Sequence, residues 1–157
     1  LSVVLNLMFS LWLPTDAFGF PFYSIPLILA GLFLGPLYGL IVAVVADTAF
    51  GLAQGYYPLF VISSIAWGLL PRLMTRKPLG IKWYIIILIT YIVSSLGNTF
   101  AIYVHFSKAA ALGTLSIRLA LLPVFAVLIA FVTKILYDRI YVALPDLIMN
   151  KDVKHEN

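Results

Sequence analysis

The sequence predicts an all-α membrane protein, a single bundle of six transmembrane helices with both termini on the cytoplasmic side. Three observations carry this expectation. Hydrophobic residues make up 63% of the 157-residue chain and charged residues only 10%, whereas soluble domains are about one quarter charged. The apolar residues come in continuous runs of helical length, not in the short alternating segments of a membrane barrel. The cations are gathered, with Arg72, Arg76, Lys77 and Lys82 in one short stretch and Arg139, Lys151 and Lys154 near the C-terminus. The positive-inside rule reads both clusters as cytoplasmic, and six spans satisfy both.

The first segment, Leu1–Leu13, ends at Pro14 and the turn-like Thr15-Asp16. Thirteen residues are too few to span, so this helix is expected to be truncated at its N-terminus; a cleaved signal peptide is the other reading of an apolar start. The second segment, Tyr23–Leu34, carries Pro26 in its first turn, where a missing N–H is tolerated. Gly35-Pro36 breaks it, and the third segment runs over Leu37–Leu52. Gln54–Pro58 reads as a loop, Leu59–Met74 as the fourth segment and Trp83–Val104 as the fifth, after the basic loop. Ser107–Gly113, small and polar, is expected to be a loop before the sixth segment, Leu115–Val142, which Pro123 should kink. The whole chain, 1–157, then forms one integral membrane domain with 144–157 as a cytoplasmic tail. The stretches Pro14–Tyr23, Gly51–Pro58 and His105–Thr114 face outward.

Composition also excludes. The chain has no cysteine, which removes disulfides, thiolate catalysis and cysteine metal sites. His105 lies close to the outer surface and His155 in the cytoplasmic tail, so no histidine cluster for a metal is expected. No basic motif stands on a soluble domain, so nucleic acid is not an expected partner. No Gly-rich phosphate loop is present, since Gly35–Gly39 lacks the Lys-Ser/Thr ending. An intramembrane enzyme would need paired acids or a nucleophile–base pair at one depth, and Asp47 is the only acid inside a predicted span above the C-terminal end. No catalytic activity and no cofactor are expected.

Asp47 is therefore the most informative residue. A charged side chain at the bilayer centre costs roughly 2.5–3.5 kcal/mol on insertion scales, so such residues face a polar interior and mark sites. At 1.5 Å per residue, Asp47 lies about two turns below the outer end of the third segment and Asn98 at a similar depth in the fifth. Arg118 is expected one turn inside the sixth. Asp47, Asn98 and Arg118 come from three helices and can share one outward-facing pocket. An acid and an amide suit a heterocycle with several N–H donors and ring acceptors, and an arginine suits a carboxylate. The alternative for Asp47 and Arg118 is an ion pair that only holds helices together, and for Asn98 an interhelical hydrogen bond. Trp12, Phe18, Phe20, Phe22 and Tyr23 gather at the first outer loop, and Tyr56 and Tyr57 at the second. They form either an interfacial belt or a stacking platform for a flat ligand, which makes Tyr23 a candidate contact. Ala30-Gly31, Gly35 and Gly39 allow close helix approach.

With these residues in view, the chain resembles the substrate-binding (S) component of energy-coupling factor (ECF) vitamin transporters over nearly its whole length. The resemblance rests on Ile25-Pro26, Gly35-Pro36-Leu37-Tyr38-Gly39, Asp47, Asn98-Thr99, Tyr103, Arg118 and Pro123, and the downstream pattern is most similar to the folate branch. It implies a bacterial multi-pass cell-membrane protein that captures a vitamin from outside. The protein would join a membrane scaffold (T) component and two cytoplasmic ATPase (A) components, and topple to release the ligand inward. Asp47, Asn98 and Arg118 correspond to polar ligand positions of that branch, with Gln54 and Tyr103 as secondary ones. The family's Ala-x-x-x-Ala docking motif of helix one does not occur in Leu1–Ser10. The aromatic first loop would be a gate. Another flat vitamin or precursor, such as pyridoxine or hydroxymethylpyrimidine, is the near alternative, and a scaffolding protein with an Asp47–Arg118 packing pair is the alternative of another class.

Overall fold

The computed structural model describes residues 1–4, 8, 21–54 and 57–143. Every regular element among them is helical: a 3-10 turn at Pro21–Tyr23, α1 (Ser24–Leu34), α2 (Pro36–Gln54), a second 3-10 turn at Pro58–Phe60, α3 (Val61–Met74), α4 (Gly80–His105) and α5 (Lys108–Ala143). These correspond to the second to sixth predicted segments. Ser2–Val4 are helical; most of Leu1–Leu13, the first outer loop before Pro21 and the tail 144–157 lie outside the described residues.

Local chemistry explains the boundaries. Gly35 ends α1 at φ 107°, a left-handed value that favours glycine, and its N–H still bonds the Gly31 carbonyl at 3.0 Å. Pro36 then opens α2, since the first helical position needs no N–H. Gly80 makes a second such turn at φ 58° before α4. One expectation is corrected. Ser107–Gly113 is not a loop, because α5 begins at Lys108 and runs unbroken through Gly113 and Pro123. Ser107 Oγ accepts the Ala110 N–H at 3.1 Å as an N-cap, and Ala109–Leu112 are strong helix formers. Only Phe106 and Ser107 separate α4 from α5.

The helix α3 occupies the centre, packed on α1, α2 and α4, while α5 packs along α4 and touches α1. Three glycines set the closest approach. A Cβ on Gly39 would fall on the Gly68 carbonyl oxygen and 2.8 Å from the Gly31 Cα, and one on Gly31 would meet the same carbonyl. So α1, α2 and α3 cross backbone to backbone, as small residues permit. Around this crossing Leu27, Ile28, Trp67, Trp83, Ile87 and Ile129 are fully buried. Trp83 Nε1 donates to the Ala130 carbonyl at 2.9 Å, tying α4 to α5.

The distribution of polarity is inverted relative to a water-soluble bundle. Ser24, Ser63, Ser64, Thr90, Ser94, Ser95, Thr133 and Arg118 are buried, while Ile41, Val45, Ile85, Leu96, Phe100, Val124, Val127 and Phe131 stand exposed. Two helices, Gly80–His105 and Lys108–Ala143, are long and apolar enough to cross a membrane.

Candidate functional site

Most of the buried polar side chains converge at the end of the bundle opposite the Gly35 turn. The 3-10 turn before α1 delivers Tyr23. The first turn of α3 delivers Ser63 and Ser64, and α4 delivers Tyr91, Ser94 and Asn98 on one stripe at the i, i+3, i+7 spacing of a single helix face. On α5, Ala111, Arg118 and Phe125 are seven residues apart and all buried, so Arg118 occupies a core-facing position.

The hydroxyls form a chain. Tyr23 Oη lies 3.5 Å from Ser63 Oγ, and Ser63 Oγ in turn pairs with Ser94 Oγ. This links the 3-10 turn before α1 to α3 and α4 through side chains alone. Asn98 approaches the Tyr23 hydroxyl, and the Arg118 guanidinium lies within electrostatic range of both Tyr23 and Tyr91. Arg118 is only 8% exposed, and among the described residues its Nη1 has no hydrogen-bond partner. A buried donor left unpaired costs about 1–3 kcal/mol, more when charged. Asp47 stands at the edge of the same cluster, half-buried, where Ser64 Oγ donates to its Oδ1 at 2.9 Å. Beside it is a crevice lined by Ser2, Val3, Tyr23, Leu27, Ala46, Asp47 and Ser64. Its volume is about 10 Å³, room for one water-sized molecule. Ser2 Oγ, which donates to the Tyr23 carbonyl, forms one wall.

No family model, curated protein or solved structure matches this chain. Its site is therefore read from its own residues.

The structure brings together four of the sequence candidates, Asp47, Tyr23, Asn98 and Arg118. It does not bring Tyr103 to them. Tyr103 is 57% exposed, one position beyond the buried pair Ala101–Ile102, so the 100° helical step turns it outward. Gln54 is the last residue of α2, and its side chain lies outside the described residues. Arg118 is also deeper than expected. With α5 starting at Lys108, it lies nearly three turns from the helix start, about 15 Å along the axis, and not one turn. Asp47 and Arg118 do not pair with each other, because Asp47 is held by Ser64 while Arg118 faces two tyrosines.

Sequence reading passed over Ser63, Ser64, Ser94 and Tyr91 as site residues. The available signals were the Ser-Ser pair in the first turn of an apolar segment and the Tyr91, Ser94, Asn98 spacing. Above the cluster, Tyr57 packs on His105 and Phe106 with ring centroids 5.2 and 5.3 Å apart, and Phe60 stacks on His105 at 6.5 Å. These rings roof the end of the bundle. Among the described residues no group of three or more His, Asp or Glu could hold a metal ion. What the arrangement offers is recognition: one acid, one amide, one guanidinium, a hydroxyl chain and aromatic faces.

Proposed function

We propose that this chain is a six-span membrane protein that binds a vitamin, the S component of an ECF-type importer, with folate the favoured ligand. It resides in the bacterial cell membrane, with the basic end of the bundle cytoplasmic and the polar cluster toward the outside. It captures its ligand there and releases it inward with a T component and two A components, whose ATPases supply the energy. The chain itself catalyses no reaction. The observation that carries the reading is Arg118, whose Nη1 has no hydrogen-bond partner among the described residues, buried near Tyr23 and Tyr91 in a cluster that also holds Asn98 and, at its edge, Asp47, inside a bundle whose outer faces are apolar. A charge is kept at such depth when it serves a passing ligand. Arg118 suits a carboxylate, and Asp47 with Asn98 suits the ring donors and acceptors of a flat heterocycle.

Ligand pockets for molecules of this size measure about 300–1,000 Å³, and the crevice beside Asp47 is far smaller. Capture therefore includes a parting of the helices around the cluster, which breaks the Tyr23–Ser63–Ser94 chain and frees those hydroxyls for the ligand. The test is equilibrium binding of folate, thiamine, riboflavin, pyridoxine and pantothenate to purified protein in detergent. Folate should bind, and Asp47→Ala or Asn98→Ala should weaken it more than tenfold, about 1.4 kcal/mol. Well-folded protein that binds none of the five would refute the reading. ATP hydrolysis that persists in the isolated chain after stringent purification would contradict the division of labour.

A further inference from the structure

The other end of the bundle carries a feature that ligand capture does not use. Phe33, at the end of α1, stacks on Tyr137 of α5 with centroids 4.8 Å apart and planes 14° apart, and Tyr137 stacks in turn on Tyr141 at 6.0 Å. Arg72 is in the last turn of α3. Its Cβ would lie 3.7 Å from a Cβ on Gly31, and its charge, opposed by that of Asp138, acts on Tyr137. One guanidinium N–H of Arg72 donates to the Arg76 carbonyl at 3.2 Å. A guanidinium has five such donors, so several remain.

The surrounding charge is one-sided. Arg76, Lys77 and Lys82 flank the turn between α3 and α4, and Lys134 and Arg139 stand on α5, with Asp138 the single acid at this end among the described residues. Depth sharpens the point. With 36 residues α5 is about 54 Å long, more than the 40–45 Å of a bilayer with its headgroups. Trp83 meets Ala130 three residues after α4 begins, so Lys134 is level with Gly80 and the last ten residues of α5 extend about 15 Å past it. The aromatic wall thus stands beside a cationic rim where lipid phosphates would lie.

We propose that the cationic rim around Arg72, beside the stacked rings of Phe33, Tyr137 and Tyr141, binds the headgroup of an anionic phospholipid of the inner leaflet. Arg72 takes the phosphate, and Lys134 and Arg139 supply the surrounding positive field. Topology alone calls for cations at this end; it does not call for three stacked rings beside one of them. The proposal rests on the membrane reading but not on the vitamin.

The experiment is thermal unfolding of delipidated protein in nanodiscs of phosphatidylglycerol or of phosphatidylcholine, together with mass spectrometry of retained lipid. Phosphatidylglycerol should raise the midpoint by roughly 3 °C or more over phosphatidylcholine and should co-purify with the protein. Arg72→Gln should abolish both effects, while Lys108→Gln at the far end should preserve them. Should Arg72→Gln not fold, Tyr141→Ala serves in its place. Equal midpoints in the two lipids, or an unchanged gain in a folded Arg72→Gln or Tyr141→Ala protein, overturn the proposal. So does an equal gain from inorganic phosphate, which would mark a free-anion site, or from soluble polyglutamate, which would mark an acidic protein partner. Folate binding measured on the same samples keeps the readings apart: its absence with the lipid effect intact sinks the vitamin reading alone. Protein that stays monodisperse without detergent sinks the membrane reading beneath both.

Discussion

The two ends of this bundle are built on opposite terms. Near the Gly35 turn, helices meet through missing side chains: Gly31, Gly39 and Gly68 bring three backbones together, and Phe33, Tyr137 and Trp83 pack or hydrogen-bond around them. Near Tyr23, the helices meet through polar side chains, and the Nη1 of Arg118 has no hydrogen-bond partner among the described residues. Around the glycine crossing the residues are spent on holding together. The interior near Tyr23 keeps a buried donor in reserve, as the proposed ligand site requires.

That contrast can be broken by substitution, and the largest effect is expected at the glycines. Gly68→Leu should push α2 off α3 and cost about 3 kcal/mol or more of stability, read as a fall in the midpoint of unfolding; a change under 0.5 kcal/mol would show that the crossing does not hold the fold. Arg118→Met should weaken folate binding by about 2 kcal/mol, the loss of a charged hydrogen bond. The same change should leave the ligand-free protein as stable or more stable, because it removes a buried cation whose Nη1 has no hydrogen-bond partner among the described residues. A marked loss of stability would mean that Arg118 serves the structure. Trp83→Phe removes one hydrogen bond at the holding end and should cost about 1 kcal/mol of stability with folate affinity unchanged. Smallest is the coupling between Ser63 and Ser94. A double-mutant cycle with alanine should give about 0.6 kcal/mol, the average found for hydrogen bonds between membrane helices. A coupling near zero would remove the hydroxyl chain as a link between α3 and α4.

Much of this was legible before any coordinates. The breaks at Gly35-Pro36 and after Met74, and the five long elements, follow from apolar runs and from the two residues that cannot continue a helix. The stretch 107–113 misled because serine and glycine signal a loop on composition, whereas Ser107 acts as a cap and the alanines propagate the turn. That single shift moved Arg118 about two turns deeper. Depth counting placed Asp47, Asn98 and Arg118 near one another, but depth has no azimuth. Tyr103 entered through the family resemblance and its helix face points outward, while Tyr91 and Ser94 were passed over although theirs points in. The partner of Asp47 was also beyond sequence reasoning, since attraction between opposite charges suggests Arg118, and only the crossing of α2 and α3 brings Ser64 closer. Gly68 was missed for the same reason, because its partners lie about 30 and 40 positions away in sequence.

The connection of only Phe106 and Ser107 between α4 and α5 sets a mechanical limit. A link that short, capped by Ser107 and packed under Tyr57 through Phe106, is no hinge. At that end the two longest helices are yoked and travel as one piece. Widening there has to come from the seam between α4 and the glycine-crossed trio, and the Ser63–Ser94 pair is the latch laid across that seam.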